Sequence, residues 1–527
     1  MDSNDNSSSG GEAMGLAALL LAASIFASRL LGFVREAAVA YLHGASRATD
    51  AYYAAFTLPD LLNYFLAGGT LTITFIPLFQ SYLTDDDESG GWTLFSNIAT
   101  TMGGLLVLFV IVLEVVAPYA VPVLNPGFDS TRQIELAVWM TRIVIPAQLA
   151  FYLGGLIKAT LYVRKVFWPQ AIAPLVYNVC IILGGVLLNP VFGIAGFAIG
   201  ALVGAFLGPL GIPMWAARGE IRYSPTVDPS HPDFRRFVKL TIPLMIGVGL
   251  LTVDQWLLRY FGSHIEGAIT WLNDGRKLML VVFAIVGQAT GQAALPYLTE
   301  LYHEEGVEAL GERLSQTLQH VGFLAVVGAA GLLVAAEPIV FLVFRRGAFT
   351  VADARHTATV LTWFAFGLPG WAVQSIAARG FYARRDTLTP MLVSTGMVVV
   401  AIPIYATLFD RYGAPGLAAS TSIGITLNAI ATVAIFRVKS GELPLTDVLW
   451  GLLRGLAAGS ACSAAAWGAR RGLAAAGFAT DLDVLLHTIG LLAAMGAAFF
   501  ITAILIVVAF DPPEARYVRQ RLREKIG

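Results

Sequence analysis

Apolar runs of bilayer length follow one another along nearly the whole chain, and no other feature restricts its fold so tightly. In hydrocarbon every backbone N–H and C=O must be paired, which leaves membrane-crossing helices or a closed β-barrel. A barrel needs alternating segments of about ten residues. The runs here are continuous and reach the roughly 20 residues that a spanning helix requires. Fourteen can be read, at about 14–42, 48–82, 92–120, 133–162, 168–188, 192–216, 235–262, 268–301, 313–336, 351–382, 388–408, 413–436, 445–468 and 484–510. With 57% hydrophobic and 13% charged residues and a mean hydropathy of +0.70, the chain is expected to be an all-α integral membrane protein. Cys180 and Cys462 lie inside apolar runs, where packing is the expected role and neither a disulfide nor a metal site is.

A fixed internal period organises these spans. Tyr162, Arg164 and Lys165 return as Tyr382, Arg384 and Arg385, each 220 positions later. Gly193, Gly196, Gly200, Gly204 and Gly208 return at the same interval as Gly413, Gly416, Ser420, Gly424 and Asn428. Pro77 and Pro296 form a second anchor, 219 apart. Such a period marks a duplicated unit, the usual architecture of a transporter that rocks one half against the other. Six helices per unit, an even number, make the copies parallel repeats related by an axis along the membrane normal, around a central cavity. The expected divisions are an N-lobe over 14–222, a polar linker over 218–234, a C-lobe over 235–440 and an appended helix pair over 445–510. Glycines 196, 200, 204 and 208 share one helix face, which reads as close packing between helices.

Residues 1–13 are polar and acidic and lack the basic start of a cleaved signal, so a disordered cytoplasmic tail is expected there, and a basic cytoplasmic tail over 511–527. With the N-terminus inside, the inside segments hold nineteen Lys and Arg and the outside segments eight. That bias puts both termini in the cytoplasm. The net charge of −1 points to no nucleic-acid partner.

Charge within hydrocarbon is costly and usually faces a cavity or a partner, so it marks the candidate site. The first span carries Arg29, Arg35 and Glu36; Asp50 and Asp60 lie on the second, Asp254 and Arg259 on the seventh, and Asp274, Arg276 and Lys277 on the eighth. Arg29 and Lys277 sit well inside long apolar runs and are read as cavity-facing. Arg35 with Glu36 reads equally as an internal ion pair. Cations on both lobes suit an anionic substrate, with phosphate the commonest choice. Asp254, near the middle of its span, must pair with a cation such as Arg276 or Lys277, hold a coupling ion or be protonated.

At these residues the chain resembles the MurJ/MviN family of lipid II flippases, within the superfamily of multidrug and oligosaccharide-lipid exporters. The resemblance is carried by Ser28-Arg29-Leu30-Leu31-Gly32-Phe33-Val34-Arg35-Glu36, Gly44, Ala48-Thr49-Asp50-Ala51, Phe56-Thr57-Leu58-Pro59 and Phe75-Ile76-Pro77, and more loosely by Trp168-Pro169 and Tyr177-Asn178. It implies that Arg29 and Arg35 match the family's first-helix arginines, Asp50 its second-helix aspartate and Asp254 its seventh-helix acidic position. Its eighth-helix arginine falls at Lys277, or at Arg276 one position away. Where the family shows an Arg-Arg pair and Ala-Glu-Gly after Pro59, this chain has Asn63-Tyr64 and Ala67-Gly68-Gly69, so one cation and one carboxylate are absent. The span over 388–408 contains no Asp, Glu or Asn, which argues against a carboxylate-bearing cation site between the seventh and eleventh helices.

Enzymatic chemistry finds no footing: the seven histidines are scattered, and no Walker sequence is present. No cofactor or metal is expected. A channel would not need two lobes with paired cations, and a scaffold would not need a charge-lined cavity. The resemblance implies a flippase for an undecaprenyl-pyrophosphate-linked glycan, lipid II, in the bacterial cytoplasmic membrane. Membrane lipids and cell-wall synthesis proteins are candidate partners, and the helix pair over 445–510 is a candidate groove for the lipid tail. The alternatives are a flippase for another lipid-linked oligosaccharide and, behind it, a drug/cation antiporter.

Overall fold

The computed structural model describes residues 24, 26–66, 70–246, 250–440, 443–478 and 481–510. The expected tails at 1–13 and 511–527, and the start of the first span, lie outside the described residues. Among the described residues the secondary structure is helical throughout, with no strand. Among the described residues nine helices are long and apolar enough to cross a membrane. The chain divides into two compact units, Met1–Gly247 and Val248–Gly527.

The first unit contains α1 (26–43), α2 (Arg47–Ala55), α3 (Thr57–Leu66), α4 (Thr70–Thr84), α5 (Glu88–Leu124), α6 (Thr131–Val144), α7 (Ala147–Val163), α8 (Trp168–Leu187), α9 (Asn189–Phe192), α10 (Ala195–Ala205), α11 (Ile212–Ala216) and α12 (Pro232–Ile246). Ser46 caps α2 by accepting from the Thr49 N–H at 3.4 Å. A π-helical segment over Phe206–Gly211 joins α10 to α11 around Pro209, which has no N–H to give the helix ladder.

The glycine column of α10 does what its spacing suggests. A Cβ on Gly200 would stand 2.5 Å from the Cys180 carbonyl oxygen, and one on Gly208 2.5 Å from that of Ala173, so the backbones of α8 and the α10 segment touch. An aromatic core of Phe75, Phe79, Trp92 and Phe95 takes in Phe234 and Phe237 of α12, and Tyr82 donates to Asp233 at 2.6 Å. The second unit therefore begins at Val248, thirteen residues beyond the position 235 expected from polarity alone.

Nor does the linker run free. The buried Asn97 amide donates to the Asp228 carbonyl at 2.7 Å and accepts from the Asp228 N–H at 2.9 Å, as a neighbouring strand would. Ser96 accepts from the Ser224 N–H at 3.1 Å.

The second unit contains α13 (Leu250–Gly262), α14 (Ala268–Phe283), α15 (Ala289–Phe344), α16 (Val351–Ala383), α17 (Leu388–Ser440), α18 (Leu445–Ala475) and α19 (Leu485–Phe510). Two long helices are broken by glycines in left-handed geometry, α15 at Gly306 (φ 89°, ψ −164°) and α17 at Gly413 (φ 61°, ψ −136°). These breaks return the separate spans read from the sequence. A second glycine stripe packs α18 along the later half of α15: a Cβ on Gly451 would meet the Gln319 carbonyl oxygen at 2.6 Å and one on Gly459 the Ala330 Cβ at 2.8 Å. Ion pairs Arg470–Glu337 (2.9 Å) and Arg345–Asp483 (3.0 Å) fasten its far end. The appended helices are thus tightly joined to the second unit.

The duplication is written in backbone geometry. Left-handed residues recur at the 220-residue interval as Asp86 (φ 58°) and Gly306 (φ 89°), Lys165 (φ 61°) and Arg385 (φ 60°), and Gly193 (φ 54°) and Gly413 (φ 61°). The corners close alike: Lys165 N–H donates to Tyr162 at 3.0 Å, and Arg385 N–H to Tyr382 at 2.9 Å. Arg164 reaches Glu220 at 3.1 Å, and Arg384 reaches Ser440, 220 positions on, at 2.5 Å.

Gly193 and Gly413 share a ψ of −136° with positive φ, a region open almost only to glycine. Gly193→Ala and Gly413→Ala should each destabilise by about 1–3 kcal/mol, read as a lower thermal midpoint of the purified protein in detergent. An unchanged midpoint in either would mean that its corner relaxes.

Candidate functional site

Among the described residues each unit holds a buried ionic cluster, built by helices distant in sequence. In the first, Arg35 on α1 turns its fork side-on to the adjacent Glu36, with Nε at 3.0 Å and Nη2 at 2.7 Å from Oε1. Neighbours in a helix point about 100° apart, and the length of the arginine stem closes that angle. Tyr53 on α2 donates to the other Glu36 oxygen at 2.5 Å. Arg35 Nη1 donates to the Asn178 carbonyl on α8 at 3.3 Å, and Asn178 in turn donates to the Pro174 carbonyl at 3.0 Å and the Ser28 hydroxyl at 3.4 Å.

Glu36 is 1% exposed but the Arg35 side chain 22%. Three of the five guanidinium donors are engaged, so the group is aimed by protein and keeps two donors for an outside acceptor. Arg29 is exposed, 6 residues and about 9 Å of helix rise away. Asp50 lies in the first turn of α2 and is 1% exposed.

In the second unit Asp254 on α13 is the centre. One oxygen takes Arg276 Nη1 of α14 at 2.5 Å. The other accepts from the Tyr405 hydroxyl and from Thr421 Oγ1 at 2.7 Å, on the two halves of α17. The Arg276 guanidinium lies over the Trp371 ring of α16 at 5.4 Å. Arg276 is 8% exposed and Asp254 3%. Lys277, one position on, points about 100° away and is half-buried. Asp274 is fully buried. Among the described residues no group of three or more His, Cys, Asp or Glu could hold a metal ion.

Asp254 and Arg35 are 219 positions apart, the Pro77–Pro296 interval, so the second copy has an aspartate where the first has an arginine. The first presents a cation at the surface; the second turns its cation inward. Sequence reading found the charged residues but missed Tyr53, Tyr405, Thr421 and Trp371 as their partners. Hydroxyl and aromatic groups inside apolar runs were the available signal, too common to single out.

A half-open apolar hollow of about 560 Å³ also lies in the second unit, lined by Val326, Leu333, Phe366, Leu456, Ser460 and Trp467 of α15, α16 and α18.

Removing one partner of a buried pair strands the other. Asp254→Asn should destabilise by about 3–5 kcal/mol, and Asp254→Asn combined with Arg276→Met should recover much of that loss. A thermal-melt double-mutant cycle checks this, and additive losses would show that the pair is not coupled.

Residues 39–478 match the family model described as "Lipid II flippase MurJ". A protein named "Lipid II flippase MurJ" from Burkholderia cenocepacia is 28% identical over 411 residues, covering 76% of this chain and 80% of that protein. A "Probable lipid II flippase MurJ" from Rickettsia prowazekii is 24% identical over 413 residues, 78% of this chain and 81% of that protein. Among solved structures, "Lipid II flippase MurJ, inward closed conformation" superposes with a TM-score of 0.76 at 21% identity, over 94% of this chain and all of that one. An inward-facing multidrug-resistance MATE transporter gives 0.65 at 14% identity, over 79% of this chain and 94% of that one.

Proposed function

The chain belongs to the lipid II flippase MurJ family, and we propose that it carries lipid II across the bacterial cytoplasmic membrane with the pyrophosphate held by the cations of its first unit. It is a multi-pass membrane transporter of a lipid-linked glycan, and not an enzyme. The family match over 39–478 supports the substrate. The observation that carries the mechanism is the aimed, partly exposed Arg35, with the exposed Arg29 earlier on the same helix.

The physical problem is to move a charged sugar headgroup through hydrocarbon while its polyprenyl tail stays in lipid. A guanidinium already oriented by Glu36 and Asn178 loses little freedom when it meets phosphate, and its charge-assisted hydrogen bonds replace water. Lys277, half-buried on α14, is the second unit's candidate cation for phosphate. Asp50, an acidic group in the first turn of α2, favours the positive end of that helix. Arg276 keeps Asp254 neutralised and holds α13, α14 and α17 in one arrangement. Alternating access follows the rocking of two repeats, with both termini cytoplasmic as the charge bias directs. The hollow between α15, α16 and α18 suits the hydrocarbon tail, because aromatic and aliphatic side chains line it.

Arg29→Ala should abolish the appearance of lipid II headgroups outside the cell while the protein still inserts, and Arg29→Lys should restore only part, because a point charge lacks the planar fork. Full activity of Arg29→Ala would remove it from the site. Depleting a test bacterium of its own flippase and supplying this chain should restore growth.

Both Asp254 oxygens already carry partners. Transport should therefore proceed equally with and without a sodium gradient, and Asp254→Asn should weaken it under both conditions. Strong sodium dependence that Asp254→Asn abolishes would make Asp254 a coupling-ion ligand.

A further inference from the structure

Two stripes of α7 have different surroundings. Tyr152, Leu156, Ile157, Ala159 and Leu161 pack into the aromatic cluster of the first unit. A second stripe, at alternating spacings of three and four, is Gln148, Phe151, Gly155, Lys158 and Tyr162, with Phe151 resting on Ala147, Ala150 and Ala205. Two of its members are polar without a visible reason. Gln148 is 5% exposed, and its Oε1 has no hydrogen-bond partner. Lys158 is half-buried inside the membrane-spanning run Thr131–Val163, and no carboxylate or hydrogen-bond acceptor engages it among the described residues. The arginine at the end of the same helix behaves otherwise: Arg164 is matched by Glu88 at 2.5 Å and Glu220 at 3.1 Å.

The stripe joins the Arg35 cluster. Phe151 meets the Tyr177 ring edge-on at 5.4 Å, Tyr177 lies within electrostatic reach of Arg35 and Asp60, and the next residue, Asn178, accepts from Arg35. Lys158 stands two turns, about 10 Å, from Phe151 toward the 164–165 corner. An intramembrane ammonium with no counter-charge is expensive unless it faces water or an anion.

We propose that the α7 stripe is a further substrate-contacting surface, with Lys158 the first cation to receive the pyrophosphate and Gln148, about 15 Å along the helix, an amide contact for the polar headgroup. This deepens the reading of the Arg29–Arg35 site and rests on it. A compact ammonium on a flexible stem suits a transient first contact, and the oriented guanidinium beyond it suits the held state.

The test uses the purified full chain and undecaprenyl pyrophosphate without sugar. Lys158→Gln should weaken its binding about tenfold, and Lys158→Arg should restore it to within about threefold. Lys165→Gln, exposed and off the stripe, should leave it unchanged. Binding unchanged in Lys158→Gln but lost in Arg29→Ala would overturn the inference and leave the Arg29–Arg35 reading standing. Binding unchanged in both would overturn the two together. Should Lys158→Gln fail to fold, the unmutated protein serves: undecaprenyl pyrophosphate should shield Lys158 from acetylation by a membrane-permeant ester, read by mass spectrometry. Equal acetylation with and without the lipid would mean that Lys158 only reaches toward the membrane surface.

Discussion

A charge placed in hydrocarbon has to be answered locally, and most of this protein's polar architecture is the answer. Arg35 with Glu36 and Arg276 with Asp254 are each closed by hydroxyl or amide groups from other helices. In a low dielectric a paired, fully hydrogen-bonded cluster is tolerable and an unpaired member is not. The clusters therefore decide which helices must stay together: α1, α2 and α8 in one unit, and α13, α14 and both halves of α17 in the other.

Close backbone packing supplies the rigidity that such clusters need. Hydrophobic burial gives little preference between a helix and lipid, so helices in a bilayer hold together through contact and hydrogen bonds. The glycine columns on α10 and α18 let carbonyls approach where any side chain would collide. The α10 column packs against α8, the helix whose Asn178 meets Arg35. The α18 column fixes the appended helices against α15 and so shapes the apolar hollow between α15, α16 and α18.

Duplication gave the two units one scaffold, and substitution then separated their tasks. The corners at Lys165 and Arg385 remain superposable in geometry, and the Arg164–Glu220 contact persists as Arg384–Ser440 with half its charge gone. At the equivalent first-helix position, an arginine in one copy is an aspartate in the other. One unit thereby offers a cation outward, while the other spends its cation internally.

The sequence by itself determined the helical membrane fold, the spans, the 220-residue repeat and the charged residues Arg29, Arg35, Asp50, Asp254, Arg276 and Lys277 as the positions to watch. These are local or periodic properties, read from hydropathy and spacing along one chain. Only the tertiary structure decided what those charges touch. Tyr405 and Thr421 lie 151 and 167 positions from Asp254, and Asn178 lies 143 from Arg35. Nothing in the local pattern distinguishes these hydroxyls and amides from others in apolar runs. The assignment of α12 to the first unit was hidden for the same reason: polarity marks where a chain leaves the membrane, whereas Phe234 and Phe237 belong where their rings find a core.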